Sequence, residues 1–333
     1  MTRYIIIGAG AIGASLAAEL HLAGLPYALI GRGAQIARIK SDGLDYRKPS
    51  GDQIVPVVAR EQDEVALGPE DILLLAVKTQ DVEATTAHWA TVPVLGGGVA
   101  ADLPIVTFQN GLAAEAIAAR RFARVYAASI VAPASYLETG RVSVAAEPQI
   151  GTIMLGRFPS GRDTISARIV ADLTRANTLS EAREDIQRWK AAKLLHNVKN
   201  VLELFGGEDA AIAQTAQAIE DEARRVLCAA GYDPALPAER RVSLSGWRVL
   251  RDPTVRGQQS TWQSFARGAS SEVDYLNGEI TLLGTLHGVA TPWNRAAQRL
   301  AAEMAATGGA TGGIDVARLA ALAGAVPEAA EPF

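Results

Sequence analysis

The chain has 333 residues, a formal net charge of -4, 49% hydrophobic residues and 20% charged ones. That length can bury two cores, and the nearly balanced charge gives no electrostatic reason to expect nucleic acid or a membrane as partner. One cysteine, Cys228, excludes an internal disulfide framework, and four scattered histidines lack metal-ligand spacing, so a cytoplasmic protein without a metal is expected.

In chain order, Met1-Thr2-Arg3 runs directly into an apolar strand and a glycine loop, too early an interruption for a secretory leader. No run of about 18 uncharged apolar residues follows, so no transmembrane helix is expected. Residues 4–7, 27–30, 54–58, 72–77, 105–108 and 124–130 read as short apolar strands, and 12–23 as a helix ending at Gly24. Apolar runs of this length between helices suggest a parallel sheet buried on both faces, in an α/β doubly wound fold. Residues 141–157 read as a β-hairpin or a pair of strands, and a helical pattern starts near Thr164. Residues 186–204, 210–230, 261–284 and 292–306 then read as helices, with Gly206-Gly207 and Gly231 as stops. Cys228, in an Ala-rich helix, is expected to be a small buried residue.

These patterns divide the chain into residues 1–183, a nucleotide-binding domain; 184–306, a helical domain; and 307–333, a loosely attached tail. Residues 315–322 of the tail can form one short helix.

The sharpest motif is strand, then Gly8-Ala9-Gly10-Ala11-Ile12-Gly13, then helix. The first glycine allows the tight turn and the second a close approach to a pyrophosphate. The third lets helix and strand pack, and the helix N-terminus offers free N–H groups to the anion. This is the Rossmann-type dinucleotide fingerprint. After the second strand, Gly31-Arg32-Gly33 stands where an NAD-preferring protein places an acid. Arg32 is suited to a ribose 2′-phosphate, so NADP(H) is the expected cofactor, the alternative being a solvated loop arginine.

In the second half Lys193, Asn197 and Asn200 lie four and three residues apart, within roughly 60° on a helix. The same spacing describes the polar edge of an amphipathic helix, beside the apolar Leu194, Leu195, Val198, Val201 and Leu202.

Five blocks in order resemble the ketopantoate (2-dehydropantoate) reductase family. They are the glycine loop, Val77-Lys78-Thr79-Gln80, Phe108-Gln109-Asn110-Gly111, the stretch Lys193 to Asn200, and Ser260 through Glu272-Val273-Asp274-Tyr275-Leu276-Asn277-Gly278. The resemblance spans residues 3–305 and implies a helical second domain of the 6-phosphogluconate dehydrogenase type. It also implies roles. Lys193 matches the lysine that protonates the reduced carbonyl, with Glu272 as its neighbouring glutamate. Asn110, Asn197, Asn200 and Ser260 fall at substrate-holding positions. Lys78, Asn110 and, less closely, Ala134 fall at cofactor-contacting ones.

Departures accompany the match. Ser264 stands where the family often has Asp, Ala269 where it often has Arg, and Val201 where a second asparagine usually follows Asn197. The expected activity is therefore NADPH-dependent reduction of a 2-oxo acid, ketopantoate to pantoate first. A different small oxo acid, imine or polyol, and a non-catalytic NADP-binding regulator, are the alternatives. Helical second domains of this kind often pair, so a homodimer is the assembly to test, although no coiled-coil seam is legible.

Overall fold

A computed structural model describes residues 2–250, 260–266, 272–308 and 311–324. They fall into two compact units. The first gathers the described residues of 1–109, 114–187 and 238–251; the second gathers those of 110–113, 188–237 and 252–333.

The first unit contains β1 (Arg3–Ile7), α1 (Ala11–Leu22), β2 (Tyr27–Ile30), α2 (Gly33–Asp42), β3 (Leu44–Lys48), β4 (Gly51–Val55), β5 (Ala59–Arg60), β6 (Asp71–Leu75) and α3 (Val82–Trp89). It continues through β7 (Pro104–Thr107), α4 (Ala113–Ala118), β8 (Arg124–Val131), β9 (Ala134–Ser135), β10 (Arg141–Val144), β11 (Ala146–Glu147), β12 (Thr152–Arg157), α5 (Thr164–Arg175) and β13 (Leu179–Ala182). Eight strands form one sheet in the order β13-β12-β8-β7-β6-β1-β2-β5. The six from β5 to β8 are parallel, and the order reverses between β1 and β6, the switch point where doubly wound sheets bind dinucleotides.

The unbroken apolar runs follow from burial on both faces. Tyr4 and Ile6 of β1 pack with Leu16 of α1 and Ile169 and Leu173 of α5. Ile5 and Ile7, pointing the other way, pack with Val82 and Trp89 of α3 and Ala114 and Ala118 of α4. A strand alternates its side chains, so a strand sandwiched between helices must be apolar at every position.

Several sequence expectations need correction here. The sheet is not wholly parallel, because β12 runs antiparallel to β8. Residues 141–157 form no simple hairpin: β10 joins a separate sheet ordered β4-β3-β10-β9, while β12 enters the main one. The strand expected at 54–58 ends at Val55, and helix does not dominate after Thr164, since β13 follows α5. β3 and β13 carry charged or polar residues at alternate positions, the period-2 signal of half-buried strands rather than fully buried ones.

The second unit is helical: α6 (Ile186–Asn197), α7 (Asp209–Ala229), α8 (Ser260–Ala266), α9 (Asn277–His287), α10 (Pro292–Thr307) and α11 (Val316–Gly324). α6 enters from the first unit. Leu194 and Val198 pack with Ile219 and Val226 of α7, Ile280 of α9 and Leu300 of α10 in one core. α10 starts with Pro in its first turn and stops at Gly308, which is left-handed.

The helix expected over 186–204 changes character: α6 ends at Asn197 and residues Val198–Leu204 wind as a 3-10 helix. The helix expected over 261–284 is broken between its described parts, α8 and α9, with a 3-10 turn Val273–Tyr275 and Leu276 outside helical geometry at φ -115°, ψ -82°. The segment 307–333 is no loose tail over its described part. Val316, Leu319 and Ala323 of α11 are buried in the helical core, and Phe205–Gly206 pairs in parallel with Ile314–Asp315. Cys228 is exposed rather than buried.

The units do not divide once near residue 183. Residues 238–250 return to the first unit, where Arg248–Val249 pairs antiparallel with β11 and Leu250 N donates to Ala145 O at 2.8 Å. The Glu181 carboxylate fastens the same stretch by accepting from Arg241 N (2.9 Å) and Val242 N (3.1 Å).

Candidate active site

The first half of the site is the loop between β1 and α1. Gly8, at φ +118°, lies so near the strand end after β6 that a Cβ would meet the backbone of Ala76 and Val77 at 2.8 Å. Gly13 sits in the first turn of α1 against the Gly8 carbonyl, with no room for a methyl group. Above Gly10 a Cβ would meet nothing within 4 Å. The loop is thus closed toward the protein at its first and third glycines and open at its second. Gly10 is also the N-cap of α1, whose first turn has no acidic residue and no side-chain cap. Unclaimed N–H groups and the helix dipole are what a pyrophosphate needs, so the residues fit a dinucleotide.

Arg32 is exposed and is the N-cap of α2, one residue beyond Gly31 at the end of β2. An exposed guanidinium at this strand end fits a 2′-phosphate on the adenine ribose. Lys78 is half-buried where the chain leaves β6 and caps the following 3-10 turn. Ala134 is half-buried and opens β9, packing with Ala9 at the edge of the first core.

Two glutamines that the sequence did not assign hold this half together. Gln109 Nε2 donates to Leu75 O and Val77 O, each at 2.9 Å, and so pins the end of β6. Gln35 of α2 donates from Nε2 to Ala9 O at 3.2 Å and accepts from Gly140 N at 2.6 Å. It ties the helix capped by Arg32 to the glycine loop.

The second half lies in the helical unit. Lys193 is half-buried on α6, and Asn197 follows four residues on, about 40° around the same helix. Asn197 is 2% exposed, and its Nδ2 has no hydrogen-bond partner among the described residues. Asn200 is buried in the 3-10 segment. With three residues per turn it comes into line with Asn197, so the spread on this face tightens from the α-helical 60° to about 40°.

Glu272 is buried and caps the Val273–Tyr275 turn. Asn110 is half-buried, and the adjoining Gly111, at φ +81°, abuts the carbonyl of Tyr275 so tightly that no side chain fits there. The Gln-Asn-Gly block and the Glu272 block therefore meet in space, although about 160 residues separate them. Ser260 opens α8, but its side chain lies outside the described residues, as does Ala269. Ser264, where an Asp was the expectation, is buried at 1% exposure.

A further polar set was missed. Asn277 Nδ2 donates to Val198 O and to Asn294 Oδ1, both at 2.9 Å. Glu222 of α7 accepts from Trp293 N (2.9 Å), Asn294 N (2.8 Å) and Asn294 Nδ2 (2.8 Å), capping α10 from another helix. Burial pushes the Glu222 carboxyl above its ordinary range, against the opposing pull of the Asn294 and Trp293 hydrogen bonds. Asn277 falls within a block already singled out, but its partners are 79 and 17 residues away, beyond any periodicity.

Residues 4–160 match the family described as ketopantoate reductase PanE/ApbA, and residues 186–305 match its C-terminal domain. The chain belongs to the ketopantoate reductase family. The 2-dehydropantoate 2-reductase of Archaeoglobus fulgidus is 28% identical over 302 residues, covering 88% of this chain and 94% of that protein. That of Pyrococcus horikoshii is 24% identical over 306 residues, with the same coverage.

Ketopantoate reductase structures share the fold. A PanE/ApbA family ketopantoate reductase from Ralstonia eutropha superposes with a TM-score of 0.72 at 22% identity, covering 92% of this chain and 99% of that one. D-mandelate dehydrogenase, solved with NADH and anilino(oxo)acetate, gives 0.77 at 20% identity over the same shares. The expected Rossmann-type domain followed by a helical domain is thus the architecture of this ketopantoate reductase family member, an oxidoreductase using a nicotinamide cofactor. Among the described residues no helix is long and apolar enough to cross a membrane.

Proposed function

We propose that this chain reduces a 2-oxo acid to the 2-hydroxy acid with NADPH, ketopantoate to pantoate being the reaction to test first. The observation that carries this reading is the face of α6. It presents the Lys193 amine and, one turn on, an Asn197 amide donor that is buried without a partner among the described residues. An orphaned buried donor costs about 1–3 kcal/mol, a cost that a ligand acceptor removes.

NADPH, held on Gly8, Ala9, Gly10, Ala11, Ile12 and Gly13 with its 2′-phosphate at Arg32, supplies the hydride. Lys78, Asn110 and Ala134 are assigned to the same cofactor. The Lys193 ammonium stabilises the negative charge that grows on the carbonyl oxygen and delivers the proton there. Glu272 is the carboxylate that favours the protonated amine, since a nearby opposite charge counteracts burial. Asn197, Asn200, Asn110 and Ser260 orient the substrate carboxylate and hydroxyl with neutral donors that do not compete for the proton.

Incubating the purified protein with NADPH and a panel of oxo acids tests this. Consumption of NADPH with stoichiometric pantoate is the expected result; tight NADPH binding without consumption by any oxo acid would leave only a nucleotide-binding regulator. A second reading changes the substrate alone. It is favoured by Ser264, which puts a small neutral side chain in a buried position where an acid was the expectation. On that reading the panel finds a better substrate than ketopantoate. The assembly proposed is a homodimer in the cytoplasm, with no nucleic acid or membrane partner.

A further inference from the structure

The change from α to 3-10 winding after Asn197 falls where a side chain from another helix reaches the backbone. In an α-helix the Val198 carbonyl accepts only from the N–H four residues on. Here it accepts from Asn277 Nδ2 at 2.9 Å, with Asn277 and Val198 both fully buried. A strong buried donor at that oxygen competes with the α-helical bond and favours the tighter turn. Asn277 is itself held. Its second amide hydrogen goes to Asn294 Oδ1 at 2.9 Å, and Asn294 is gripped through backbone and side chain by Glu222 and through Nδ2 by Ile219 O at 3.2 Å. All three polar side chains are 0% exposed. A relay runs from α7 through the first turn of α10 and the start of α9 to the end of α6.

We propose that Asn277 is a positioning residue: by holding the Val198 carbonyl it fixes the 3-10 register that brings Asn197 and Asn200 into line beside Lys193. This rests on the reductase reading, in which those asparagines hold the substrate. Asn277 touches neither substrate nor cofactor on this account. Its start-of-helix place also lies two residues beyond Tyr275, whose carbonyl seats Gly111, so the same anchor steadies the turn beside Asn110.

The test uses Asn277→Leu, which keeps the volume and removes both donors, and Asn277→Ser, which keeps a small polar group too short to span the gap. NADPH dissociation constant, kcat and KM for the oxo acid are measured on each, alone and combined with Asn197→Ala. Positioning predicts a KM raised about tenfold or more with unchanged NADPH affinity. It also predicts little further loss when either change is added to Asn197→Ala, because the two act through the same contact. A purely structural role predicts a KM like wild type in the folded fraction and losses that multiply with Asn197→Ala, and either result overturns the proposal. Should Asn277→Leu not fold, Asn277→Ser decides by the same two criteria. If the wild-type protein consumes NADPH with no oxo acid, the reductase reading itself has failed, a distinct outcome visible before any variant is made.

Discussion

The carbonyl oxygen of Gly8 lies against the α-carbon of Gly13 so closely that a methyl group on Gly13 would overlap it. The contact locks the first turn of α1 onto the end of β1 and aims the helix N-terminus across the glycine loop. Gly13→Ala must push that turn away, an overpacking cost of about 1–3 kcal/mol. The expected outcome is an NADPH dissociation constant raised about tenfold or more and a melting temperature lowered by several degrees. Fluorescence titration and thermal melts check both, and wild-type values for the two together would contradict the geometry.

Arg32 caps α2 with its side chain exposed beside the strand end. A charge-assisted hydrogen bond to a 2′-phosphate is worth about 1.5–3 kcal/mol, so Arg32→Ala should weaken NADPH by roughly ten- to a hundredfold while leaving NADH nearly unchanged. Parallel titrations with the two dinucleotides measure the ratio. A loss equal for both would make Arg32 a residue of general stability instead.

Lys193→Met keeps the length of the side chain and removes the proton. If the ammonium delivers that proton, kcat should fall about 10²- to 10⁴-fold with NADPH affinity held within about twofold. Steady-state kinetics beside a binding titration separates the two effects. Undiminished turnover would exclude Lys193 from the chemistry.

Glu222 offers a pH-dependent readout of the helical unit. Its native carboxyl binds a proton more tightly than the unfolded chain does, because burial disfavours the charge. The stability tied to the protonated form is fully present below the unfolded value and is lost as pH rises through the raised native one. Glu222→Gln cannot ionise. The melting temperature of wild type minus that of Glu222→Gln should therefore shrink as pH rises from about 4 to 7. A difference that stays constant or widens in calorimetry would show that the carboxyl is not shifted upward.

How much of this the sequence held can be judged residue by residue. The glycine loop was fully legible, since turn, strand and helix N-terminus are adjacent in the chain and each glycine has a local steric reason. The sandwiched strands β1, β2, β7 and β8 were legible to within a residue or so for the same cause: burial on both faces leaves an apolar run with no gaps. Lys193 and Asn197 were placed on one helical face by spacing alone. The relatives' names and the five matching blocks carried the family, as periodicity could not have done.

Other features needed the folded chain. Gly111 against Tyr275, Asn277 on Val198, Glu222 at the head of α10 and Glu181 on residues 241–242 each join groups distant in sequence. Spacing along a chain encodes which side of an element a residue occupies, not which element will lie across from it. That is why the sequence by itself determined the nucleotide loop, the sheet core and the polar face of α6. Only packing among α6, α7, α9 and α10 decided where α6 stops being an α-helix, because the hydrogen bond that ends it comes from a side chain 79 residues further on.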